Sequence, residues 1–150
     1  MKRFRFPLRP VAVLRAHREM RAREAFAASV HAYVQAEELL AATRARVAEL
    51  AGVLFDGRAG TFLAAEAASL FRSYRAECEE QLQVERRVIE ARDAMNLRRE
   101  EYLQANRQLK VVQRLEDKAR TRHRVEANRS EQAEMDDFSG YRAGRRAILS

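Results

Sequence analysis

The sequence predicts an all-α protein, an antiparallel two-helix coiled-coil hairpin with unequal arms. Three observations predict it. Both prolines, Pro7 and Pro10, lie at the start of the chain. Three of the five glycines, Gly52, Gly57 and Gly60, fall in one short stretch. Apolar residues recur every seventh position on either side of that stretch, as a helix–helix seam requires. Composition agrees: 47% of residues are hydrophobic and 34% charged, and Ala, Glu, Arg, Leu and Gln dominate. Such chains favour long helices. The alternating Val/Ile/Thr runs that strands need are absent.

The first helix is expected over about 10–52. Pro10 suits its first turn, where a missing N–H is harmless. Phe26, Tyr33, Leu40, Val47 and Leu54 form one line of its seam, and Ser29, Ala36, Thr43 and Leu50 the line three positions on. Residues 53–60 read as the turn, because Asp56-Gly57 is a turn pair. Thr61 is placed to cap a second helix over about 61–139. In that helix Tyr74, Val88, Met95, Tyr102 and Leu109 keep one seven-residue phase, interrupted by Gln81. Phe71, Cys78, Leu82, Ile89 and Leu103 lie beside it. Ser139-Gly140 reads as the helix stop, with Gly140 at the C′ position and a flexible tail over 140–150. The whole chain, 1–150, is read as a single elongated coiled-coil domain.

The arms are unequal. With the turn centred near residue 56, Val11 falls opposite roughly residue 101. The second helix then continues alone for more than about 30 residues, and the arms measure about 65 Å and about 120 Å at 1.5 Å per residue.

Charge divides the chain. Residues 1–23 carry +7, residues 24–97 carry −4, residues 98–129 carry +5 and residues 130–150 carry −1, which sum to the net +7. In a hairpin the two basic segments share one end. Their convergence points to an acidic partner there.

Several classes are excluded or disfavoured. The longest apolar stretch in the basic start is Val11 to Leu14, too short for a secretory signal, and no run approaches a membrane span. Cys78 is the only cysteine, so an internal disulfide is impossible. A cytoplasmic protein is expected. No catalytic residue, metal site or cofactor is expected. His17, His31 and His123 have no ligand spacing with one another or with Cys78. Walker loops, dinucleotide glycines and nucleophile elbows are missing. Gly57-Arg58-Ala59-Gly60 fits a nucleic-acid clamp on paper but lacks the flanking sheet, and is read as turn. A basic nucleic-acid-binding coiled coil stays an alternative, since the sequence pI is near 10.3. It is disfavoured because no aromatic interleaves with the basic run over 107–129.

Three segments resemble the FliJ family: FRFPLRPVAVLRAHREMRARE at the start, QAEELL at 35–40, and EANRSEQAEMDDFSGYRA at 126–143. The chain departs from the family at Ser139-Gly140, where helix-favouring residues are usual. The resemblance implies a non-enzymatic stalk protein of the flagellar type III export apparatus. Such a protein forms an antiparallel two-helix coiled coil in the pore of the export ATPase hexamer and promotes assembly of that ring. It contacts the cytoplasmic domain of the export gate and binds export chaperones. It would lie at the cytoplasmic face of the inner membrane, with no small-molecule substrate. The equivalent stalk of a virulence type III system is the nearest alternative. By position, the resemblance implies a gate-binding face of Leu39, Thr43, Arg46, Leu50, Phe71, Arg75, Cys78 and Leu82, of which Arg46 and Arg75 depart from the family in type. The basic end that would enter the ring carries Arg15, Arg18, Arg21, Arg114, Arg120 and Arg124.

Overall fold

A computed structural model describes residues 3–55 and 63–149. Helix α1 spans Arg9–Phe55 and helix α2 spans Ala64–Ile148. The two helices pack against each other as a helical hairpin, and no strand occurs among the described residues.

The start of α1 follows the expectation. Pro10 stands in the first turn, one residue after the helix begins. The Arg9 N–H donates to the Phe6 carbonyl at 3.1 Å, closing the turn before it.

Three boundaries differ. Helix α1 does not stop at Gly52 but runs to Phe55. Leu54 is only 7% exposed, so packing of the last turn outweighs the glycine's ~1 kcal/mol helix penalty. Helix α2 begins at Ala64 rather than 61, with Glu66 in its first turn complementing the helix dipole. It also passes through Ser139, Gly140 and Gly144 to Ile148, so the expected tail is helical to that point. No described glycine has a positive φ, so Gly140 does not adopt the left-handed cap conformation. Ala143 and Ala147 favour helix, and Arg145 and Arg146 sit in the last turn where cations suit the dipole. The Asp56-Gly57 turn pair and the Thr61 cap lie outside the described residues.

The chain divides into two compact units, Met20–Gln104, and Met1–Glu19 with Ala105–Ser150. In the first, the middle unit, the expected α1 seam is inward. Phe26, Tyr33, Leu40 and Val47 are half-buried, and Thr43 is fully buried. On α2, Tyr74, Gln81, Val88, Met95 and Tyr102 are half-buried, so Gln81 continues the seam instead of breaking it. The most buried side chain of this segment, Val84 at 0% exposure, lies on the line three positions on. That line was hidden in the sequence by Glu77, small Ala91 and Arg98. Phe71, Leu82 and Ile89, expected beside the seam, are 46%, 57% and 50% exposed. Phe26 stacks on Tyr102 with ring centroids 6.0 Å apart, and Phe55 meets Phe71 and Tyr74 edge-on.

In the terminal unit, Val112 is 1% exposed and Glu19 4%. Arg9 pairs with Glu116 and Arg15 reaches the Gln108 carbonyl. Val11 lies between Arg9 and Arg15, so its opposite number falls between 108 and 116, not near 101. The hairpin register is later in α2 than a turn centred at 56 implies. The solitary stretch of α2 is correspondingly shorter: residues 128–149 are exposed throughout, while Ala127 is still half-buried.

Candidate functional site

The terminal unit concentrates charge. Residues 3–6 run without regular structure before α1 and lie along α2. The Phe4 ring meets His123 edge-on at 5.5 Å, and the Arg120 guanidinium sits 5.4 Å over its face. A cation held over an aromatic ring is attracted by the negative face of that ring. Glu116 accepts from Arg9 at 3.1 Å and from Arg120 at 3.0 Å, and its side chain is 15% exposed. One carboxylate thus ties the start of α1 to α2. Arg15 Nη1 donates to the Gln108 carbonyl at 3.0 Å. An open groove beside residues 3–5 is lined by Lys118, Arg122, His123 and Glu126.

These contacts sort the arginines expected at the basic end. Arg15 and Arg120 are engaged by their own chain. Arg18, Arg114 and Arg124 are exposed in this unit, and Arg21 is exposed in the middle unit. None of these four has an ion-pair partner among the described residues. The outward set is therefore drawn from both helices. The part played by Phe4 and Glu116 was not read from the sequence. The alternation of basic and aromatic residues at the start was its one visible signal.

The middle unit holds the eight residues of the other expected face. Leu39, Phe71 and Leu82 are substantially exposed, as are Arg46 and Arg75. Leu50 and Cys78 are half-buried. Thr43 departs from the set: it is fully buried, so no partner can touch it. Its hydroxyl donates to the Leu39 carbonyl at 2.8 Å and accepts from Arg46 Nη2 at 3.3 Å. Arg46 Nε also pairs with Glu77 at 3.2 Å, so Thr43 fixes a surface arginine from below. Cys78 hydrogen-bonds Tyr74, which raises the phenol above its ordinary range. Phe55, 64% exposed beside Phe71, was missed because the turn was expected from residue 53.

Two further groups are tuned at the surface. Tyr33 donates to Glu37, and that bond raises its pKa. Glu85 accepts from Gln81 at 3.0 Å and from Arg44 at 3.5 Å. The Gln81 bond, helped by Arg44, holds the Glu85 carboxyl below its usual range against partial desolvation.

Among the described residues no group of three or more His, Cys, Asp or Glu side chains could hold a metal. No described helix is long and apolar enough to cross a membrane. What the surface offers is two-sided: a cationic terminal unit and a mixed apolar and basic stripe on the middle unit.

A family model described as Flagellar FliJ protein matches residues 4–147, nearly the whole chain. The chain belongs to the FliJ family, non-catalytic proteins of flagellar type III export. No curated protein and no solved structure gives a significant match.

Proposed function

We propose that this chain is the stalk of the flagellar export ATPase. Its terminal unit enters the pore of the ATPase hexamer and promotes ring assembly. The stripe on its middle unit meets the cytoplasmic domain of the export gate, and export chaperones dock on the same protein. It would work at the cytoplasmic face of the inner membrane, held there by the apparatus. The flagellar family match favours this over the virulence system.

The observation that carries the reading is the set Arg18, Arg114 and Arg124, exposed on both helices of one unit with no ion-pair partner among the described residues. A guanidinium keeps its charge in a partly desolvated pore and grips carboxylates two-pronged. Charge attraction of this kind steers association without demanding one rotational register. For the gate, Leu39, Phe71 and Leu82 supply apolar area while Arg46 and Arg75 frame it.

The test measures stimulation of the cognate ATPase by two variants. One changes Arg18, Arg114 and Arg124 to Gln, leaving the Glu116 clamp intact. The other changes Leu39, Phe71 and Leu82 to Ser. The first is expected to lose most stimulation, more so at raised salt, and the second to keep stimulation and lose gate binding. Loss of stimulation by the second and not the first would reverse the polarity assigned here.

A further inference from the structure

The stretch of α2 beyond Ala127 presents a face whose order reads as a palindrome of opposite chemistry about Phe138. Phe138 is 63% exposed and sits at the centre. Three residues before it stands Met135, and three after it Tyr141, at 72% and 66% exposure. Four before is Glu134 and four after Arg142; seven before is Glu131 and seven after Arg145. At 100° per residue, offsets of three, four and seven return to one side of a helix. All seven residues therefore lie on one face. Open grooves on either side of Phe138 are lined by the same groups, Glu131, Glu134 and Met135 on one side and Tyr141, Arg142 and Arg145 on the other.

The four charges on this face have no ion-pair partner within the chain among the described residues. The helix spacing denies them one: Glu131 and Glu134 are followed four residues on by Met135 and Phe138. Arg142 lies over its own Phe138 ring, 5.9 Å from the centroid, and so stays on the face.

We infer that this face is a docking surface for a second copy of the same chain, laid antiparallel across a two-fold axis at Phe138. An isologous contact brings each residue against its mirror position. Phe138 then meets Phe138 of the other copy. Met135 packs on Tyr141, and Glu134 and Glu131 face Arg142 and Arg145, each pair occurring twice. Leu149, eleven residues after the centre and 83% exposed, comes opposite Ala127, eleven before. A parallel pair would set acid on acid and Arg on Arg, so the charges also select the orientation. The face is short, below the ~1,200 Å² of standard interfaces, which makes the dimer weak and concentration-dependent. This inference is independent of the ring reading; the same residues cannot serve the dimer and another partner at once.

Sedimentation equilibrium of the full chain tests it, over roughly 1–300 µM, the range where a small interface of this kind associates. The mass is expected to rise from monomer toward dimer, less so at high salt. Two charge variants are made, Glu131→Arg with Glu134→Arg, and Arg142→Glu with Arg145→Glu. Each alone is expected to associate at least tenfold more weakly than the parent. An equimolar mixture of the two is expected to recover a heterodimer, because every facing pair is again opposite in sign. Recovery also shows that each variant kept its helix. A parent that stays monomeric throughout, variants that self-associate as well as the parent, or a mixture that fails to recover the dimer would each overturn the proposal.

Discussion

The middle and terminal units are built from the same two helices yet bury different groups. In the middle unit the fully buried groups are Val84 and Thr43, with Leu54 close behind, and aromatic pairs flank them. In the terminal unit the buried groups are Val112 and the acid Glu19, and Arg9 on Glu116 and Arg15 on the Gln108 carbonyl cross between the helices, while the middle unit has its own charged cross-helix pairs, Arg44 with Glu85 and Arg46 with Glu77. Two helices can each bury only one face, so neither unit has a deep core. The middle unit relies on a thin line of tightly packed side chains. Both units add charge-assisted hydrogen bonds across the helices, which salt screens, but only the terminal unit places an acid, Glu19, among its buried groups.

The sharpest break in this comparison is Val84→Asp. Burying an unpaired carboxylate at a 0% exposed site costs several kcal/mol, about 3–5 here, and lowers the melting temperature by about 10 °C or more. Ile89→Asp, at a position half exposed on the same helix, is expected to change it by no more than about 2 °C. Equal losses would mean the seam has been placed on the wrong face. Leu40→Asp, half-buried, should fall between the two.

Glu116→Gln comes next. It removes the shared carboxylate of Arg9 and Arg120, but both arginines remain solvated, so the loss is about 1 kcal/mol. Its diagnostic is salt: the difference from the parent shrinks as ionic strength rises, whereas that of Val84→Asp does not. Phe4→Ala is expected to be smaller, about 0.5–1 kcal/mol, since it loses one ring contact and one cation–π pair at the surface. Its readout is faster amide exchange over residues 3–6 with the middle unit unchanged.

The smallest effect is acid-dependent. Glu85 has its folded pKa depressed, first by the Gln81 bond and then by Arg44. It stabilises the fold above its unfolded pKa, and that contribution fades as pH falls through the folded value. Glu85→Gln should therefore lower the melting temperature slightly at neutral pH and match the parent at low pH, which flattens the acid limb of the profile. A variant that flattens the alkaline limb instead would contradict the assignment.

The sequence alone determined the all-α class, the two helices and most of the inward line. Heptad spacing of Phe26, Tyr33, Leu40 and Val47 is a local property that any helix must express as a face. The family resemblance was legible for the same reason, since it rests on ordered strings of residues. Three things were decided only in three dimensions. The register depended on where α1 ends, and Phe55 is kept helical by Leu54, Phe71 and Tyr74, partners distant in sequence or invisible to propensity. The helix through Gly140 could not be read either, because a glycine signals a stop only when its φ turns positive, and here it does not. The sorting of arginines into those held by Glu116 or Gln108 and those left outward required knowing which residues face each other across the hairpin. Charge patterns along a chain state how many groups there are. Which of them neutralise one another depends on distances of a few ångströms, and folding sets those distances.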